Sequence, residues 1–248
     1  MSPLCGSQSP SATVYPSPSG SRGWVFANVD SVDLTIYGRG GHGAYPHTTV
    51  DPVVIAARTV VALQTLVARE NSPFDPAVVT VGSIHGGLKH NIIPDEVKLQ
   101  ITVRSFKDDV RKRPLDGIAR FAKAEAAAAG APKEPAFAVV ETTPSTYNDP
   151  ALAKRLTAAF SRAFGADNVA EGQPTMGGED FSEYGRAGVP AVQFEVGAVE
   201  AGKYADSQKN GTPLPSLHSS GFAPDRGPTI RRGVASLTVG ALELLGKP

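Results

Sequence analysis

The chemistry this 248-residue sequence could support lies in its five histidines, His42, His47, His85, His90 and His218, and in the glycine-rich turn around the first. His42 and His47 are five apart and could form a ligand pair, although a turn imidazole is more often structural. His85 and His90 flank a turn after a β-branched run, where surface placement is expected. His218 stands in Pro215-Ser216-Leu217-His218-Ser219-Ser220, after a long loop and an apolar run. Loops at strand ends are where open α/β sheets collect their chemistry. No His-Glu-x-x-His, Cys-x-x-Cys or G-x-S-x-G motif occurs, so zincin, zinc-finger and serine-hydrolase readings have no residues to stand on.

Gly38-Arg39-Gly40-Gly41-His42-Gly43 matches G-x-G-x-x-G, the pattern of dinucleotide sites. There the helix begins inside the glycines, so that its amides meet the pyrophosphate. Here Pro46 intervenes and the helix waits for Asp51; no acidic residue closes a second strand at the required distance. A nucleotide-dependent oxidoreductase therefore ranks last.

The elements that must position these residues read as follows. Val32 to Tyr37 alternates as a half-buried strand. Asp51 caps a helix with Pro52 at its first position, running to about Arg69. Ala77 to Ile84 is a β-branched strand, and Val97, Leu99, Ile101 and Val103 alternate with Lys98, Gln100, Thr102 and Arg104. Asp108 to Ala129 reads as a helix interrupted by Pro114, and Ala136 to Glu141 as a fourth strand. The order β-α-β-β-α-β is a ferredoxin-like split βαβ unit, predicted as one antiparallel sheet with both helices on one face. Beyond Pro144, Asp149-Pro150 opens a helix to about Phe164, stopped by Gly165; a short helix follows Phe181. Ala191 to Val196 reads as a buried strand, Gly197 to Leu217 as a long loop, and the end as an amphipathic helix with Ile230, Val234, Leu237, Ala241 and Leu245 on one side. The predicted organisation is a poorly ordered tail with a remnant of a further domain (1–30), the split βαβ domain (31–143), and half of an α/β domain (144–248). This last region is too strand-poor to form a sheet alone.

Lys plus Arg and Asp plus Glu are 24 each, so the net charge is zero and nothing electrostatic points to nucleic acid or an anionic membrane. The single Cys5 forms no internal disulfide, no stretch approaches roughly 18 consecutive apolar residues, and the N-terminal segment reads as no secretory leader. A cytoplasmic protein is expected.

Gly40-Gly41-His42-Gly43-Ala44-Tyr45-Pro46-His47, Asn91-Ile92-Ile93-Pro94-Asp95 and Arg104-Ser105-Phe106 together resemble the lid domain of the dinuclear metal aminoacylase and carboxypeptidase family. Met176-Gly177-Gly178-Glu179-Asp180-Phe181 and Leu217-His218-Ser219 resemble the C-terminal part of its catalytic domain. The resemblance is collinear from about residue 24 onward and is strongest to hippurate hydrolase-like amidohydrolases. It implies a homodimer through the lid, with His42 reaching into the partner's site to stabilise an oxyanion. It implies that Asn91 and Arg104 bind a substrate carboxylate, Arg104 with a bidentate grip. It implies that His218 ligates one of two divalent metal ions (zinc, manganese or cobalt) and that Glu179 and Asp180 shape the pocket floor; as a helix N-terminal cap the same two carboxylates read equally well.

The sequence also departs from that family. Its other metal ligands and its glutamate base precede the lid, in a Cys-x-His or His-x-Asp pair, a Glu-Glu pair and a further His or Asp. No Glu-Glu occurs here, and Cys5-Gly6-Ser7 has serine where a ligand would stand. The expectation is a metal-dependent amidohydrolase of N-acyl amino acids, N-terminally truncated and inactive alone. The alternative is a non-catalytic dimerisation or binding module derived from the same family.

Overall fold

A computed structural model of the chain describes residues 9–16 and 23–246; Cys5-Gly6-Ser7 lies outside them. In chain order the strands are β1 (Val14–Tyr15), β2 (Trp24–Phe26), β3 (Asn28–Tyr37), β4 (Gly41–His42), β5 (Ala77–His85), β6 (Ile92–Ile93), β7 (Glu96–Ser105), β8 (Ala136–Thr143), β9 (Thr146–Tyr147) and β10 (Glu195–Val196). The helices are α1 (Pro52–Thr65), α2 (Asp108–Ala128), α3 (Pro150–Phe164), α4 (Ser182–Arg186), α5 (Ala201–Asn210) and α6 (Arg226–Leu245). The chain divides into two compact units. One is Ala27–Ser145 with Met176–Asp180; the other is Met1–Phe26, Thr146–Thr175 and Phe181–Pro248.

The first unit is the expected βαββαβ domain. Its four-stranded sheet has the order β5-β7-β3-β8 and is antiparallel throughout. Alternation decides the faces: Val32, Leu34 and Ile36 of β3 and Val97, Leu99, Ile101 and Val103 of β7 are buried. They pack against Ile55, Ala56, Leu63 and Leu66 from α1 and its extension and against Ile118, Ala122 and Ala126 of α2, so both helices cover one face. Asp51 caps α1, accepting from the Val53 amide at 2.9 Å. The helical stretch Pro52–Glu70 reaches 19 residues and is apolar enough by composition to cross a membrane, which the sequence reading had not anticipated. Its buried residues place it as a core helix. Contrary to expectation, α2 runs unbroken through Pro114, which is buried in the helix's first half.

The second unit holds a small core in which Val14, Leu156 and Phe160 are buried against Phe164, Val169, Phe194 and Val239. Asp149 caps α3 through the Leu152 amide, and Gly165 ends it at φ +85°. Several expectations are corrected here. The N-terminal segment is partly structured: Val14 is fully buried and β1 pairs with β10, and β3 of the lid already begins at Asn28. The strand expected over Ala191–Val196 shortens to the half-buried β10, because β1 offers it only two residues. Upstream of it, Ala191 and Gln193 bond instead to Asp149 and Asn148. The expected loop contains α5, capped by Glu200 and closed by Gly211 in the left-handed region. The apolar row of α6 is exposed, with Ile230 at 64% and Leu237 at 65%. Its smaller residues face α3 instead: Ser236 is buried, and a Cβ on Gly240 would lie 3.7 Å from Leu156 Cδ2.

Candidate active site

Because Val97, Leu99, Ile101 and Val103 take the helix face, Arg104 must stand on the open face of β7. Its row across the sheet is Val78 on β5, Arg104, Val29 on β3 and Thr143 on β8. Arg104 is half-buried and donates from Nη1 to the Met176 carbonyl at 2.6 Å. No carboxylate among the described residues forms an ion pair with it. A guanidinium held on one side by a carbonyl keeps N–H groups in a planar fork, the geometry that matches a carboxylate.

The loop Met176–Asp180 lies beside this row because Gly177 accepts from the Ala27 amide at 3.0 Å and Gly178 packs directly on Val29. A Cβ on Gly178 would stand 2.5 Å from Val29 Cγ2, so only glycine permits that approach. The result is a cavity of about 300 Å³ lined by Val29, Arg104, Glu141, Thr143, Gly178, Glu179 and Asp180. Glu179 and Asp180 therefore line the same space as Arg104. Glu141 was not singled out from the sequence. Its only signal there is its place in a strand, and which face it takes depends on pairing with β3.

Beneath this end of the sheet the helix face turns polar. Asp30 is fully buried, and Arg111 grips it from α2 through Nε at 2.8 Å and Nη2 at 2.7 Å. Thr142 Oγ1 donates to Asp30 Oδ1 at 2.7 Å. Hydrogen bonding to Asp30 holds the Arg111 guanidinium above its ordinary pKa.

His42 and Asn91 lie together at the other end of the lid. β4 pairs with β6, setting His42 opposite Ile92, and the Gly43 amide donates to the Asn91 carbonyl at 2.8 Å. A Cβ on Gly40 would meet the Ile93 carbonyl at 2.6 Å, so this glycine serves backbone contact and not a phosphate. His42 Nδ1 accepts from the Ala44 amide at 3.0 Å, which leaves the proton of a neutral ring on Nε2, pointing away as a donor. Both His42 and Asn91 are exposed, as are His47, His85 and His90.

The register gives the separation. Val29, beside Arg104, and Tyr37, which leads toward His42, lie at opposite ends of β3. Eight residues at about 3.3 Å each put roughly 26 Å between the two ends. A single copy therefore does not bring Asn91 and Arg104 to one carboxylate.

His218 belongs to the other unit. It is exposed, in a turn where the Ser219 amide donates to the Ser216 carbonyl at 3.2 Å, and it adopts φ +64°. A non-glycine residue in that region is uncommon, and such strain gathers at functional sites. The described residues contain no group of three or more His, Cys, Asp or Glu able to hold a metal ion. His218 alone does not make a metal centre, which needs about three protein ligands.

Residues 27–130 match the family model of the peptidase dimerisation domain. Over 204 residues the chain is 32% identical to thermostable carboxypeptidase 2 of Saccharolobus solfataricus, covering 82% of this chain and 49% of that protein. Over 178 residues it is 38% identical to N-acetyldiaminopimelate deacetylase of Shouchella clausii, covering 71% and 46% respectively. The chain thus carries the peptidase dimerisation domain and is similar to amidohydrolases and carboxypeptidases. It spans about half the length of the curated relatives it matches. Among solved structures, a putative aminohydrolase from methicillin resistant Staphylococcus aureus superposes with a TM-score of 0.72 at 26% identity, covering 97% of this chain and 57% of that one. A protein of Bacillus subtilis described as a dinuclear metal binding peptidase shares the fold, with a TM-score of 0.68, 21% identity and coverage of 95% and 54%.

Proposed function

We propose that this chain is the substrate-gripping and dimer-forming part of a metal-dependent amidohydrolase that cleaves the amide bond of N-acyl amino acids of the hippurate kind. The observation that carries this reading is the Arg104 guanidinium, without a carboxylate partner among the described residues and facing a cavity, at the opposite end of the lid from a histidine whose Nε2–H is ready to donate. A two-fold dimer reconciles the ends. β5 is an edge strand, and Val54 and Val61 of α1 stand exposed beside it. Antiparallel pairing of two β5 edges sets the Val78 end of one chain against the His85 end of the other, because a two-fold axis reverses strand direction. The partner copy's β4–β6 end then approaches the Arg104 end. Arg104 holds the substrate carboxylate, Asn91 from the second copy assists, and His42 from that copy donates Nε2–H to the amide carbonyl oxygen as it gains charge. One such donor is worth about 10²- to 10³-fold in turnover.

The metal ions, taken as zinc, manganese or cobalt, do not fit this chain alone, since His218 is the single candidate ligand and no cluster surrounds it among the described residues. That same observation supports the second reading, a dimerisation or binding module without chemistry of its own. The test separates them. The purified chain is expected to sediment as a dimer at micromolar concentration and to hydrolyse neither hippurate nor N-acetyl amino acids with any of the three metals. Adding a polypeptide equivalent to the uncovered half of the curated relatives is expected to produce metal-dependent hydrolysis; its failure to do so favours the binding module. Turnover by the bare chain refutes the ligand count. In the completed enzyme His42→Ala lowers turnover by about 10²-fold, whereas Arg104→Ala mainly raises KM.

A further inference from the structure

The cavity around Arg104 carries a second, opposite pole. Glu141 pairs with Ser31 on β3, two residues along from the Arg104–Val29–Thr143 row and on the same open face. Two strand spacings of about 4.8 Å and two residues of about 3.3 Å separate the Cα atoms by roughly 12 Å. No ion pair joins the two side chains: Arg104 donates to the Met176 carbonyl and Glu141 accepts from Ser31. Glu141 accepts one hydrogen bond, from Ser31 Oγ at 3.2 Å, and no Lys or Arg of the described residues pairs with it. In the same row the buried Thr102 Oγ1 has no hydrogen-bond partner. With Asp180 on the adjoining wall, the lining sets the carboxylates of Glu141 and Asp180 beside the Arg104 guanidinium. A ligand whose only charge is a carboxylate would satisfy Arg104 and leave the acidic side facing it.

We propose that the ligand of this cavity carries an ammonium group in addition to its carboxylate, and that Glu141 is the residue that selects it. The inference rests on the reading of Arg104 as a carboxylate clamp. It narrows the substrate class to N-acyl amino acids with a basic side chain, or to short peptides whose N-terminal ammonium reaches the same pole. A second carboxylate on the ligand is disfavoured by the acidic wall.

The test is a titration of the ¹⁵N-labelled full chain, followed at the amides of Arg104, Glu141 and Gly178. The probes are Nα-acetyl-lysine, its uncharged counterpart N-acetyl-norleucine, N-acetyl-glutamate and the dipeptide alanyl-norleucine. An ammonium-bearing probe is expected to bind roughly 2- to 5-fold tighter than N-acetyl-norleucine, the range of a partly exposed ion pair, and the advantage shrinks with added salt. Whether acetyl-lysine or the dipeptide shows it tells which ammonium is read. Glu141→Gln, a shape-conserving change at an exposed position, brings the ratio to about one. Equal binding of charged and uncharged probes by the native chain overturns the proposal, as does an advantage that survives Glu141→Gln. If no probe shifts any of the three amides, the carboxylate clamp itself fails, an outcome distinct from the loss of selectivity alone.

Discussion

At His218 the backbone costs energy that a glycine would not. A side chain with a Cβ at φ +64° is disfavoured by about 1 kcal/mol or more, and no hydrogen bond of the imidazole offsets it among the described residues. His218→Gly is therefore expected to leave the melting temperature unchanged or raise it, while abolishing metal binding in a completed enzyme. A fall of several degrees in the glycine variant would show that the imidazole holds the turn and sink its reading as a ligand. Gly178 is the converse case: Gly178→Ala must push either the loop or Val29 aside, since the added carbon would stand 2.5 Å from Val29 Cγ2. Expected is a weaker grip on N-acyl amino acids, read by the same amide titration, with far-ultraviolet circular dichroism unchanged. Undiminished binding would show that the loop does not shape the cavity. Arg104 was legible from the sequence because its parity in a clean alternation puts it opposite the core. Glu141 was not, because its face follows from the β3–β8 register and from the irregularity in that pairing between Ser31 and Val32.

Among the elements, those with a buried stripe and a cap were legible: α2 and α3 begin and end within about two residues of where periodicity and capping put them, and α1 does so once its extension to Glu70 is counted. α5 was not, because it buries no residue and so carries no apolar period; only its caps, Glu200 and Gly211, announce it. Backbone amides of Gly202 and Lys203 hold the Glu200 carboxylate below the usual glutamate range. A depressed carboxyl pKa stabilises the helix start above the ordinary value of about 4.3 and loses that contribution as pH falls through the lower folded value. The Asp30–Arg111 pair joins β3 to α2 with a carboxylate that has no access to solvent. Asp30→Asn leaves a partly buried guanidinium uncompensated and is expected to destabilise the lid by about 3 kcal/mol, measured by urea unfolding. A loss below about 1 kcal/mol would mean that water replaces the carboxylate at no great expense.

On the scale of the whole molecule, Ile230, Val234 and Leu237 form an exposed apolar row on α6. Leu237→Glu is expected to reduce self-association and dye binding by apolar surface without lowering the melting temperature. A drop of several degrees would mean that the row is buried in solution. The lid by contrast closes its own core, which is why its strands and helices appear where alternation placed them.

Sequence alone determined which residues alternate, which caps start helices, and which side chains of β7 stand away from the core, because these are properties of neighbours within a few positions. It also carried the motifs of the family resemblance. Only the tertiary structure decided that β7 lies between β5 and β3, that Arg104 and His42 occupy opposite ends of one sheet, and that Glu141 shares a cavity with Arg104. The physical reason is that strand order and register are set by pairings between residues up to about a hundred positions apart. A period of two along one strand says which residues share a face, but not which strand lies beside it or in what register.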